Sequence, residues 1–207
     1  MTRKQIADKV RDNLNDLGIT YYLIDDINDS IQDGYNEVAV YAECIEKNTS
    51  ITLAPDTVYY DLSILIPDYY RIMFVYHNKF NFFLTPTPDR EMISGDSYWE
   101  LANTQERSYT IIGPKYLGIS GTSSNPVGSL RIDYKAQADI LTDNIAPKIL
   151  PAFQQLLEDY ATGDMLDQNQ EYTKAGKYWG NYNLKLEEYR RKIQLLSKAD
   201  RVFTRSS

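Results

Sequence analysis

The sequence predicts an α+β fold, a helical bundle made from the N- and C-terminal helices with an inserted antiparallel β-sandwich. Three observations carry this. Apolar residues recur at helical spacing before residue 50 and again after Ile149; between those stretches the period drops to two, and turn residues cluster there. Helices at both ends bracketing a run of strands is the order of segregated α+β architecture, with the bundle's own termini covalently close to the insert. The expected boundaries are 1–49 and 145–198 for the bundle, 50–144 for the sandwich and 199–207 for a C-terminal tail. A chain of 207 residues has room for one large or two small domains with a real core.

Each element has a local reason. Ile6, Val10, Leu14 and Leu17 make the first stripe, which stops at Gly18, a residue suited to a C-terminal cap. Ile24, Ile27, Ile31, Tyr35, Val38, Ala42 and Ile45 make the second, broken by Asn48, Thr49 and Ser50; Asp25 and Asp26 suit its first turn electrostatically. Ile51 and Leu53 precede the turn Ala54-Pro55-Asp56, and Tyr59 and Leu62 follow it, which reads as a hairpin closing near Pro67. A second hairpin joins residues 69–77 to 80–84 through the two-residue connection Asn78-Lys79. Thr87 as cap and Pro88 at the first helical position start a short helix through Ile93. Strands return at 109–112, 116–120 and 129–134, the last two separated by GTSSNPVG. Ile149, Phe153, Leu156, Leu157 and Tyr160 then form a helical stripe ended by Gly163. A longer one runs from Tyr172 through Ala175, Tyr178 or Trp179, Tyr182, Leu186, Tyr189 and Ile193 to Leu196.

Composition narrows the chemistry. A single Cys, Cys44, forbids an internal disulfide and points to a reducing compartment. The start MTRKQIADKV reads as an amphipathic helix rather than a signal peptide, and no stretch approaches the ~20 apolar residues of a membrane span. His77, the one histidine, has no second histidine to share a metal with and no nucleophile with a recognisable signature, and reads as a surface residue. Asp25, Asp29 and Asp33 share the polar face of the second helix, but Ile27 and Ile31 occupy the places where a calcium loop needs oxygen ligands. Cys44 reads as a small buried residue on that helix. No phosphate-cradling or zinc-hydrolase motif occurs. No catalytic, cofactor-binding or metal residue is therefore assigned, and an enzyme is disfavoured.

Tyrosine stands out, with 18 of 26 aromatics, a usage typical of packed helix faces and of interfaces. Charge is uneven. Residues 1–184 hold 15 Lys and Arg against 26 Asp and Glu, whereas 185–207 hold seven against three. An acidic body argues against a DNA reader, since Lys and Arg on phosphate supply most nucleic-acid affinity; a passive DNA conduit stays open. The basic end reads either as a solvated helix terminus or as a docking peptide.

The two opening helices are followed by the run TSITLAPDTVYYDLSILIPDYYRIMFV and by the strands YLGIS and GSLRIDYKA with NPVG between them. The segment PKILPAFQQLLEDYATGDMLDQNQEYTKAGKYWGNYNLKL comes last. This order resembles the head-to-tail adaptor (connector) proteins of tailed bacteriophages, related to the tubular tail proteins of short-tailed phages. A departure is the family's Leu-Pro position, which here is Ile66-Pro67 after a longer run. The resemblance implies a virion protein of the neck, made in the host bacterial cytoplasm, which forms a ring of usually twelve copies between the portal protein and a downstream tail or nozzle protein. Genomic double-stranded DNA passes through the lumen without sequence-specific binding, and no membrane is involved. It also implies a C-terminal extension reaching between portal subunits. On the residues, Lys198, Arg201, Val202, Phe203 and Arg205 are the expected portal-binding tail, with Phe203 as apolar anchor. Pro55, Asp56, Asn125 and Pro126 mark loops expected to face the tail. From a different class, runs such as Tyr69, Tyr70, Phe82 and Phe83 also fit an aromatic-rich β-sandwich that binds carbohydrate or peptide.

Overall fold

In the computed structural model, which describes residues 1–16, 21–88, 90–91, 107–120 and 128–203 and side chains as far as residue 197, the first helix α1 (Arg3–Leu14) opens on a capping box. The Gln5 amide donates to Thr2 Oγ1, and the Thr2 amide donates to Gln5 Oε1 at 2.9 Å, so two orphan donors are satisfied reciprocally. Asn15 ends α1 in the left-handed conformation, φ 54°, with its amide on Arg11 and Asp12 carbonyls. The cap is thus three residues earlier than Gly18, because an asparagine tolerates that backbone almost as well as glycine. Leu17 and Gly18 lie outside the described residues.

Helix α2 (Ile24–Ala42) buries Ile27, Ile31, Tyr35, Val38 and Ala42 of the stripe read from spacing, while Ile24 is exposed, Ile45 is buried beyond the helix, and Asp25, Asp29 and Asp33 face solvent. It ends at Glu43, which has φ 50°. Cys44 therefore sits past the helix rather than on it, and is half-buried rather than buried, hydrogen-bonded with the Tyr189 side chain.

A single 3-10 turn, Pro151–Phe153, leads into α4 (Gln155–Gln168), and α5 (Tyr172–Phe203) follows after a turn in which Gln170 has φ 62°. The central helix of this unit is α4, packed against α1, α2 and α5. It runs straight past Gly163. That glycine admits a neighbour instead of ending the helix, since a Cβ there would lie 3.1 Å from the Trp179 ring. Gly34 of α2 does the same for Tyr160, whose ring would stand 2.8 Å from an added Cβ. Into the space so made fit Tyr160, Trp179 and Tyr182, with edge-on ring contacts at 5.1 and 5.2 Å from Tyr160. Burial at α4 extends to charge: Lys9 pairs with Glu158 at 2.9 Å and Lys185 with Asp159 at 2.8 Å.

Before this, residues 137–150 are strapped to the helices. Gln32 accepts the Leu141 amide at 2.8 Å and donates to the Asp139 carbonyl, and the Tyr35 hydroxyl accepts the Lys148 amide at 2.9 Å. The helical unit accordingly comprises Met1–Ile45 and Gln137–Ser207; residues 137–144, expected in the sandwich, belong with the helices because their backbone groups are satisfied there, and residues 46–49, expected in the bundle, are strand and belong to the second unit.

The second unit, Glu46–Ala136, holds two four-stranded sheets. One is ordered β1 (Glu46–Thr52), β8 (Ser129–Ala136), β3 (Tyr69–His77), β4 (Phe82–Phe83), all antiparallel. The other runs β2 (Tyr59–Asp61), β7 (Tyr116–Ile119), β6 (Ser108–Ile112), β5 (Thr85–Pro86), with β5 and β6 parallel, so this sheet is mixed rather than purely antiparallel. Alternate residues of both sheets, among them Ile51, Val75, Leu117, Ile119, Leu130 and Ile132, make an aliphatic core.

Four local expectations change here. No hairpin joins β1 to β2: the Ala54-Pro55-Asp56 turn carries the chain from one sheet to the other, and β1 pairs with β8 instead. Beyond β2 the chain makes a single helical turn, α3 (Leu62–Leu65), where Asp61 accepts the Ser63 amide at 3.0 Å; the Ser63 hydroxyl, which donates to the same carboxylate, and then the Lys115 ion pair hold the Asp61 carboxyl below its ordinary range. The β3–β4 connection is four residues long, since His77 pairs with Phe82, and Asn81 rather than Asn78 takes the positive φ. His77 is buried, not exposed, against the Phe80 and Phe82 rings at 4.7 and 5.7 Å. Of the expected helix through Ile93, residues 90–91 are helical and the rest lies outside the described residues.

Candidate docking surfaces

The basic end of the chain is built by one helix outrunning its bundle. On α5 the buried positions are Ala175, Tyr182, Leu186 and Tyr189, a stripe of three- and four-residue steps. Tyr182 donates to Glu37 Oε1 at 2.9 Å, and the Tyr189 ring lies tilted against Phe153 at 4.8 Å. Burial, with Glu37 as the second cause for Tyr182, pushes both hydroxyls well above the ordinary tyrosine value, so they stay protonated donors. Past Tyr189 the packing thins. Arg190 covers the Tyr41 ring at 4.6 Å, while the Tyr41 hydroxyl donates to Glu187; Ile193 is half-buried. Leu195 and Leu196 are then 65% and 43% exposed. Leu196 and Tyr172, both expected in the buried stripe, are therefore outside it, because the stripe outlasts the partners available to cover it at either end.

Helical backbone continues through Phe203, so Lys198, Arg201, Val202 and Phe203 are part of α5 and not of a separate tail starting at residue 199. Of their side chains nothing is described, and Arg205 lies outside the described residues. The helical end explains itself: Lys and Arg in the last turns complement the helix dipole, and no Gly or Pro interrupts residues 181–203. What the sequence does not signal is the pair of exposed leucines just before the basic cluster, since periodicity alone cannot tell a covered stripe from an uncovered one.

Pro55 and Asp56 occupy an exposed turn. Asp56 has φ 52°, the Thr57 hydroxyl donates to the Pro55 carbonyl at 3.1 Å, and the Tyr60 hydroxyl accepts the Ala54 amide at 3.0 Å, so the loop tip is fixed from its base. Asn125 and Pro126 lie outside the described residues. The structure separates the four aromatics that suggested ligand binding. Tyr69 and Tyr70 border an open groove of about 790 Å³ between β3 and β6, with Ile72, Pro86, Tyr109 and Pro114. The Tyr69 hydroxyl donates to the Pro114 carbonyl, which fixes one wall. Phe82 stacks on buried His77 instead, and Phe83 joins Phe74 and Tyr76 in an exposed cluster with ring distances of 5.8 and 5.1 Å. Among the described residues no group of three or more His, Cys, Asp or Glu side chains is placed to hold a metal ion, and no helix is long and apolar enough to cross a membrane.

Against this geometry, comparison with protein families finds that the model of the family described as SU10 adaptor protein matches residues 1–205, both units and the basic end of α5 together. No curated protein matches the chain.

Proposed function

We propose, from the premise that the chain belongs to the SU10 adaptor protein family, a phage head-to-tail adaptor family, that it is a structural subunit of the virion neck that joins the portal protein to the next tail component as a ring, usually of twelve copies. The observation that carries this reading is the extent of the match: it spans residues 1–205 and so includes both units and the helix end that leaves its bundle. In this reading the α5 end, with exposed Leu195 and Leu196 followed by Lys198, Arg201, Val202 and Phe203, is the portal-docking segment. An apolar anchor framed by cations is the composition that gains binding energy by burying area and excluding water around charge pairs. The ring's lumen passes genomic DNA without gripping it; the acidic balance of residues 1–184, 15 cations against 26 anions, favours repulsion of phosphate over retention. The role is one of shape and assembly, with no reaction assigned to it.

Electron microscopy of particles carrying the chain without residues 199–207 tests the docking role. The expected result is capsids whose portal lacks an adaptor, while the purified truncated chain keeps its helical circular dichroism. Necks assembled normally from the truncated chain would overturn it. The groove beside Tyr69 and Tyr70 supports a second reading, a carbohydrate or peptide site on the β unit. A glycan array probed with the purified chain distinguishes the two: saturable binding lost on Tyr70→Ala supports the groove, and a blank array rejects carbohydrate.

A further inference from the structure

Two helix-interior glycines of α5 have no explanation inside the described chain. Gly34 and Gly163 each make room for a ring, but a Cβ added at Gly176 or Gly180 would meet nothing within 4 Å. Alanine would make a more stable helix at both positions. Gly180 lies on the side of α5 opposite the buried Ala175, Tyr182, Leu186 and Tyr189, in line with Lys177, Leu184, Arg191 and Leu195 at steps of three, four, seven and four residues. On that line Leu184 is 74% exposed, the largest apolar side chain of the helix's middle turns left in solvent.

Charge says what covers it. Of the eight Lys and Arg of α5, Lys174 and Lys185 are paired with Glu171 and Asp159 and Arg190 covers Tyr41, while Lys177 and Arg191 stand on this line; α2 carries five Asp and Glu and no Lys or Arg. Asp25, Asp29 and Asp33 stand on the solvent face of α2 at four-residue spacing and make no ion pair among the described residues. The two faces belong to different helices of one unit and are not self-complementary. A contact between unlike patches of identical chains is heterologous, the kind that closes into a ring.

We infer that the solvent face of α5 around Gly180 and Leu184 is an interface between copies of this chain, and that it receives the acidic face of α2 from the neighbouring copy. The inference rests on the ring reading above and names the surfaces that build it. Glycine at 180 lets a second helix approach closely, Leu184 fills the contact, and Lys177 and Arg191 meet Asp25, Asp29 and Asp33 of the neighbour.

Three experiments test it, with cross-linking and incorporation read on necks assembled in phage particles. In a Cys44→Ser background, Asp29→Cys and Leu184→Cys in one chain are expected to give an oxidised ladder of dimers, trimers and higher species on a non-reducing gel. Gly180→Leu is expected to raise the thermal midpoint of the isolated chain, yet to cut its incorporation into necks about tenfold or more, as a bulky group in a packed contact should. Asp29→Lys with Asp33→Lys should lose incorporation likewise, and added Lys177→Glu and Arg191→Glu should restore it. Necks that form rings with no ladder, and that accept Gly180→Leu at the wild-type level, would overturn this interface and leave the ring reading standing. A ladder confined to an intramolecular monomer band would overturn it too, as would Gly180→Leu blocking portal attachment while the ladder of copies persists. Wild-type necks with a single copy would overturn both readings together.

Discussion

In the helical unit the largest fully buried side chains include Tyr35, Tyr182 and Tyr189, whereas in the β unit they are aliphatic, Leu62, Ile66, Leu117, Ile119, Leu130 and Ile132, with Tyr60, Tyr109 and Tyr134 buried at 5–8% exposure and Tyr70, Phe74 and Phe83 in solvent. The largest rings are thus placed differently in the two units. Helices packed 8–10 Å apart offer few inward positions per turn, and large rings fill the space between them, with their hydroxyls reaching out to partners such as Glu37. Strands offer an inward position at every second residue, so aliphatic side chains supply most of the buried set, joined by Tyr60, Tyr109 and Tyr134, while Tyr70, Phe74 and Phe83 are left to solvent. The fully buried rings of the helical unit are therefore stability elements, and the exposed rings of the β unit are surface elements.

The sharpest way to break that contrast is to remove a ring from each. Tyr182→Ala should cost about 4 kcal/mol in urea unfolding, the range for a large buried side chain. A loss under about 1 kcal/mol would mean that the Tyr160, Trp179 and Tyr182 cluster is not the bundle's core. Next comes the buried ion pair of the helical unit. Lys185→Met leaves Asp159, whose side chain is only 4% exposed, without its cation, and should cost about 3 kcal/mol. The reverse change, Asp159→Asn, should cost less, because Lys185 retains a route to water at 29% exposure. Equal losses would contradict the asymmetry.

A conditional effect follows from the two buried hydroxyls. Their folded values are raised above the unfolded value near 10, so their contribution is fully present below pH 10 and is lost as pH climbs above it. Thermal midpoints should thus fall between pH 10 and 11, and the fall should be shallower in Tyr182→Phe with Tyr189→Phe. An identical slope in the double variant would exclude these groups as its source. Smallest of all, Phe83→Ser on the β unit should change unfolding free energy by only about 0.5 kcal/mol, within the range of surface changes, since that ring is 63% exposed. A loss comparable to that of Tyr182→Ala would erase the distinction between the two units.

Much of the basic end was legible before any coordinates. Lys198, Arg201, Val202 and Phe203 announced a cationic, weakly apolar terminus, but their helical backbone was not expected, because a tail judged by composition ignores the helix already propagating into it. Leu195 and Leu196 were hidden in plain view, since their spacing matches a buried stripe and only the end of the bundle leaves them uncovered. The groove beside Tyr69 was invisible for a related reason: its walls come from β3 and β6, residues some forty positions apart.

Sequence by itself determined the order of helical and strand stretches and which face of α1, α2 and the middle of α5 turns inward, because periodicity is written in neighbours within one or two turns. It did not determine the boundary after α2, since Asn48, Thr49 and Ser50 lie inside β1 and do not end the helix. Only the tertiary structure decided that β1 pairs with β8 across some eighty residues and not with β2, and that Gly163 admits Trp179 instead of ending α4. The same holds for His77, which is buried against two phenylalanine rings. Each of these is a choice of partner. Local spacing fixes what a segment can present, while the partner is selected by the burial and backbone pairing gained across the whole unit.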